Sequence, residues 1–229
     1  MKPTSASLIR WTGLAAMGAG IIFAVIQPIH PLDVLESVTT TRWVVIQSFK
    51  FAMCFLGLFA MVGLYARQVK ETGWLGLAGY LLFSLFYALT SAFVFLEAFV
   101  LPLLATQAPK FIEGFLSIIN GATSEVSLGA LPLLYAAGTV GYVLGGLLFG
   151  IAMFRAHVLP RWATALFAAG AVLPLVLGML PHPLNRTFAV PMGVALVGLG
   201  YALWTERRAP VAQPLPGEAM AQLRPSVAK

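Results

Sequence analysis

Lys50 and Glu97 are the residues of this chain from which chemistry can be argued, because each is an ionisable side chain set inside a long apolar run. Even on a lenient insertion scale such a group costs about 2.5–3.5 kcal/mol at mid-helix, so it is retained where a partner or a cavity meets it. Lys50 lies about two helical turns after the start of its run and Glu97 about two turns before the end of the next, both below the outer ends of their spans. The two therefore share a depth, and adjacent antiparallel helices would bring ammonium and carboxylate together. Gln47 stands one turn from Lys50 on the same face, while Tyr87, Thr90 and Glu97 fall on one stripe of the next helix. This makes a polar seam. It reads either as an ion pair that sets helix register or as a binding pocket.

Two histidines map to the same side, His30 in Pro28-Ile29-His30-Pro31 and His182 in Pro181-His182-Pro183. Each is held between prolines at the end of an apolar run, with no Glu-x-x-His or His-x-x-x-His spacing, and two ligands alone make a poor zinc site. Neither a metal nor a cofactor is expected. Both histidines read as interfacial, beside the mouth of the seam with Asn185 and Arg186. His157 sits in a basic loop, where a solvated role is the default, and the lone Cys54, inside an apolar run, excludes an intrachain disulfide and reads as packing. The Walker A, Gly-x-Ser-x-Gly, His-Glu-x-x-His and Cys-x-x-Cys patterns are absent. No catalytic residue is assigned, and the reading leans away from an enzyme.

The elements that must position these residues follow from composition. The 229 residues are 59% hydrophobic and only 10% charged, with a mean hydropathy of +0.89. A soluble domain, with about 25% charged residues, covers its surface in a way this chain cannot. The apolar residues fall in runs of about 20 or more, enough to cross about 30 Å of hydrocarbon. With no hydrogen-bond partners in lipid, unalternated runs of this length must be helices. The fold class expected is all-α: a six-helix transmembrane bundle over residues 1–208, followed by a disordered, proline-bearing tail at 209–229.

The spans are placed at Leu8–Ile26, Trp43–Tyr65, Trp74–Leu104, Gly129–Phe154, Trp162–Leu180 and Phe188–Trp204, with Thr39-Thr40-Thr41 able to cap the second. The first has a basic lead but no small-x-small cleavage site, so it is read as a retained helix rather than a signal peptide. Tryptophans 11, 43, 74, 162 and 204 all fall at span ends, where an amphipathic ring suits the headgroup level. Between the third and fourth spans, Pro109–Asn120 repeats apolar residues at helical spacing before an Asn120-Gly121 stop. It predicts a short interfacial helix, either a lid or a docked connector.

Charge sets orientation. With the N-terminus inside, Lys2, Arg10, Arg67, Lys70, Arg155, Arg161, Arg207, Arg208, Arg224 and Lys229 lie on the inner side, and only Arg42, Lys50, Lys110 and Arg186 on the outer. Both termini are thus expected in the cytoplasm. The same distribution explains the net charge of +6 without nucleic acid, since no basic cluster with interleaved aromatics occurs. The fourth span carries Gly138, Gly141, Gly145, Gly146 and Gly150, a pattern for close helix approach. It would serve packing within the chain or, alternatively, a homo- or hetero-oligomer. Pro132, Pro174 and Pro191 are candidate kinks, and an echo of Arg10-Trp11…His30-Pro31 in Arg161-Trp162…His182-Pro183 would make the first and fifth spans parallel copies.

The stretch Phe154-Arg155-Ala156-His157-Val158-Leu159-Pro160-Arg161-Trp162 resembles a link found in small bacterial six-helix membrane proteins of families known only as domains of unknown function. That resemblance implies a bacterial inner membrane and carries no catalytic residues. Size and span number also resemble the substrate-binding subunits of energy-coupling-factor vitamin transporters, whose docking motif Ala15-x-x-x-Ala19 fits. The leading expectation is a protein that binds a small molecule or a membrane lipid in an outward-facing pocket near Lys50 and Glu97, in a transport context. The alternatives are an enzyme acting on an outer-leaflet lipid with Glu97 as acid/base and His30 or His182 assisting, and a structural subunit of a membrane complex.

Overall fold

The computed structural model describes residues 4–177, 180 and 184–206. Among these every regular element is helical: α1 (Ser5–Ile29), α2 (Leu35–Val38), α3 (Thr41–Arg67), α4 (Val69–Phe95), a π-helical turn (Leu96–Val100) continuing into α5 (Leu101–Leu104), α6 (Pro109–Asn120), α7 (Leu131–Ala156), α8 (Arg161–Leu177), α9 (Leu184–Thr187) and α10 (Val190–Thr205). The tail expected at 209–229 lies outside the described residues.

Local signals explain the boundaries. Thr4 and Ser7 form a reciprocal capping box at the start of α1, and the Thr40 hydroxyl accepts the Trp43 N–H at the start of α3. Gly73, with φ 56°, separates the turn Val69–Thr72 from the long helix that follows, which therefore begins at Trp74 as expected. Gly121, with φ 69°, ends α6. Pro132 and Pro191 stand in the first turns of α7 and α10, where no N–H is needed, so they start helices rather than kink them. Pro174 does lie inside α8.

Among the described residues, four helical segments are long and apolar enough to cross a bilayer: Ser7–Ile29, Thr41–Arg67, Val69–Leu104 and Leu131–Ala156. Large apolar side chains, among them Ile21, Phe49, Phe59, Leu81 and Leu144, remain exposed on these helices, as suits a lipid surround. The chain is a helical membrane protein. The fifth and sixth expected spans are shorter, α8 at 17 residues and α10 at 16, or about 24–26 Å against about 30 Å of hydrocarbon.

Six helices close into a ring in the order α1, α3, α4, α7, α8, α10 and back to α1. Cross-contacts make every neighbouring pair antiparallel: Thr12 meets Gly63, Gly57 meets Tyr87, Gly79 meets Phe149, Gly150 meets Ala168, and Gly170 meets Met192. Since α1 and α8 both run against α10, they are parallel to each other. On the α1–α10 seam, Gly13 faces Gly200 and Gly20 faces Gly193. The fourth-span glycines are likewise used inside the chain, Gly141 and Gly145 against α4, Gly146 and Gly150 against α8. Phe83, Phe149, Phe167, Met61, Met153 and Leu199 fill the centre of the ring.

One end of the ring, here called proximal, carries the start of α1, the turn between α7 and α8, and the end of α10. There Arg67 grips Glu206 through bonds of 2.5–2.8 Å. At the distal end α6 lies across the bundle with Ile112, Phe115 and Leu116 buried on Val38, Trp43, Phe93 and Leu101. It is a docked connector rather than a free lid. Four of the five tryptophans are exposed at helix ends, but Trp43 is completely buried and is no interfacial anchor.

Candidate functional site

The polar seam exists, and proline chemistry helps shape it. In a π-helical turn each carbonyl looks five residues ahead for its N–H. The Leu101 N–H bonds the Leu96 carbonyl, and the residue five beyond Glu97 is Pro102, which has no N–H to give. The Glu97 carbonyl accepts instead from the Trp43 indole N–H at 2.8 Å, fully buried. That bond explains why Trp43 leaves the interface. Replacing Trp43 by Phe should cost about 1–3 kcal/mol, the range for stranding a buried acceptor; an unfolding midpoint equal to wild type would rule this role out.

Glu97, 3% exposed as a residue, receives the Lys50 ammonium at 3.1 Å. The pairing expected from shared depth is therefore made. Lys50 also lies 3.3 Å from His30 Nε2. Because His30 Nδ1 sits 2.7 Å from the Pro31 carbonyl, an acceptor only, Nδ1 carries the ring proton and Nε2 is left to accept from Lys50. At 2% exposure His30 is buried rather than interfacial. Its Nδ1 is 4.0 Å from Asp33, which forms an ion pair with Arg186. Asn120 of α6 donates to the Asp33 carbonyl at 3.0 Å, and Arg42 to the Ile29 carbonyl at 2.7 Å. The chain Glu97–Lys50–His30–Asp33–Arg186 runs across four parts of the fold.

This network borders a cavity of about 290 Å³. Lys50, Glu97, Thr90, Arg186, Tyr135 and Tyr142 supply its polar wall; Phe86, Leu89, Phe93, Leu134, Gly138 and Pro174 are among its apolar lining. Of the residues expected at the site, Lys50, Glu97, Thr90 and Arg186 meet there, and His30 joins through Lys50. Tyr87 does not; it is buried over Gly57 against Phe83. Gln47 is fully buried with both amide atoms unpartnered, and it is not on the cavity wall. His182 lies outside the described residues, and of Asn185 only the backbone is described.

Three contributors escaped sequence reasoning: Asp33, the indole of Trp43, and the tyrosines of α7. Asp33 had a signal, being an acid three residues after His30, set between Leu32 and Val34. Pro102, five residues after Glu97, was the signal for the π-helical turn. Among the described residues no three His, Cys, Asp or Glu side chains come together as a metal set. No family model, curated protein or solved structure matches the chain.

Proposed function

We propose that this chain is a multi-pass protein of a bacterial inner membrane that holds a small molecule or lipid in the distal cavity, with that end facing outward. The observation that carries the reading is the cavity wall itself, where Lys50, Glu97 and Arg186 edge a mainly apolar chamber inside a membrane protein. Intramembrane charges facing a cavity mark ligand sites more often than they merely hold helices together. The apolar lining supplies affinity, and the few polar groups supply orientation. Arg10, Arg67, Lys70, Arg155 and Arg161 gather toward the proximal end, which supports a cytoplasmic placement for it.

A lipid-modifying enzyme is the weaker reading. Lys50 stands between Glu97 and His30, occupying the carboxylate that would have to move a proton, and His30 is not on the cavity wall. A purely structural role loses support where the fourth-span glycines are spent inside the chain. The test is native mass spectrometry of the detergent-purified protein beside the double variant Lys50→Met/Glu97→Gln, which removes both charges together. A defined adduct on the wild type that the folded variant lacks supports the binding site. An adduct held equally by both would make the pair architecture and sink the proposal.

A further inference from the structure

We infer that the occupant of the distal cavity is an uncharged ring compound whose polar end both donates and accepts hydrogen bonds, as an aromatic carboxamide does. The inference rests on the binding reading above and adds the charge and the hydrogen-bonding character of the occupant.

The charge follows from pairing. Lys50 meets Glu97 at 3.1 Å and Arg186 meets Asp33, so the four charged residues of the network cancel one another. Asp33 does so from behind the wall, being 8% exposed and not part of the cavity lining. An ion entering the chamber therefore finds no unopposed charge to replace the hydration it gives up, and burying an unpaired charge is costly. Taking a partner from one of the existing pairs would strand the other member. A neutral molecule meets neither cost.

The hydrogen-bonding character follows from what pairing leaves over. Among the described residues the Tyr135 hydroxyl, the Thr90 hydroxyl and Glu97 Oε1 have no hydrogen-bond partner, and all three residues line the cavity. Lys50 has three N–H donors, of which Glu97 and His30 take two. The remaining ammonium proton can only be donated, Glu97 Oε1 can only accept, and a hydroxyl does either. The wall thus complements a group that carries both a donor and an acceptor.

The rest of the lining suits a ring. Phe93 meets Tyr135 at 5.5 Å and Phe86 meets Tyr142 at 4.9 Å, both edge to face, and all four border the chamber. Another ring packs against such walls in the edge-on or offset arrangements that aromatic groups prefer. A volume of about 290 Å³ falls at the lower edge of the roughly 300–1,000 Å³ typical of drug-sized ligands. A compact molecule fits.

Benzamide, benzoate and benzamidinium share one shape and differ in what matters. The first is neutral with donor and acceptor, the second an anion that only accepts, the third a cation that only donates. Saturation-transfer NMR titrations of the full chain in lipid nanodiscs measure each. Gly138→Leu is the blocked reference, since it places a side chain on the cavity wall at a position where a Cβ meets only Leu89 at 3.7 Å. Benzamide should bind about tenfold or more tightly than either ion, and Gly138→Leu should abolish its binding. Tyr135→Phe, which alters no charge, should weaken it about three- to tenfold, the range of one hydrogen bond. Either ion binding as tightly as benzamide, and blocked by Gly138→Leu, would overturn neutrality and leave the binding reading standing. Wild-type affinity in Tyr135→Phe would overturn the hydrogen-bonding assignment. If none of the three shows binding that Gly138→Leu removes, this inference fails; if the purified protein also lacks an adduct sensitive to Lys50→Met/Glu97→Gln, the binding reading fails with it.

Discussion

Lys50→Met should lower the stability of the protein by about 3–5 kcal/mol, and adding Glu97→Gln to it should restore most of that loss. The figure is the usual cost of removing one partner from a buried ion pair, and it arises from the charge left behind. Here that charge is a carboxylate whose side chain is 4% exposed, whereas the Lys50 side chain is 18% exposed. The singles are therefore unequal. Glu97→Gln leaves Lys50 with His30 Nε2 as an acceptor and a long stem by which to reach more polar surroundings, so its cost should be smaller, about 1–3 kcal/mol. Equilibrium unfolding in mixed micelles measures all three variants. If Lys50→Met and the double variant unfold together, the coupling is absent and the ion pair does not carry this energy.

Gly20→Val should be nearly as damaging, costing about 3 kcal/mol, at the upper end for overpacking. A Cβ at Gly20 would lie 2.5 Å from the Gly193 carbonyl oxygen and 2.9 Å from the Val197 nitrogen. Both are backbone atoms of a helix and cannot step aside unless α10 moves off α1. The short α10 has only α1 and α8 as its main supports, so separation at this seam opens the ring. Without a hydrophobic force between helices in lipid, such close approach is itself the source of association. Gly138→Ala is the control, expected within about 0.5 kcal/mol because its Cβ finds ordinary contact. Thermal unfolding of the two variants, measured side by side, decides; comparable midpoints would remove the seam from the account.

These expectations differ in how far back they can be traced. The pairing of Lys50 with Glu97 was legible because depth in a helix is a matter of counting residues along a run. The Thr40 cap and the Asn120-Gly121 stop were legible because caps depend on neighbours in sequence. The fates of Tyr87 and Gln47 were not. A helix that is apolar nearly all round has no preferred face in its own pattern, so residues on one stripe can turn to the packed centre or to a cavity. His30 and Trp43 were placed at an interface because each sits at the end of an apolar run. They are buried because α6 docks over that end and the π-helical turn offers a carbonyl to the indole.

From its sequence alone this chain is an all-helical membrane protein with a polar seam at one depth, because lipid forces backbone groups to bond within each segment and makes a charge inside an apolar run conspicuous. What only the tertiary structure decided is which helix lies beside which. The ring order brings Arg186 to Asp33, 153 residues away, and leaves a chamber beside Lys50 and Glu97. Those choices rest on glycine contacts, ring packing and one displaced carbonyl bond, and such terms come into being only when separate segments meet.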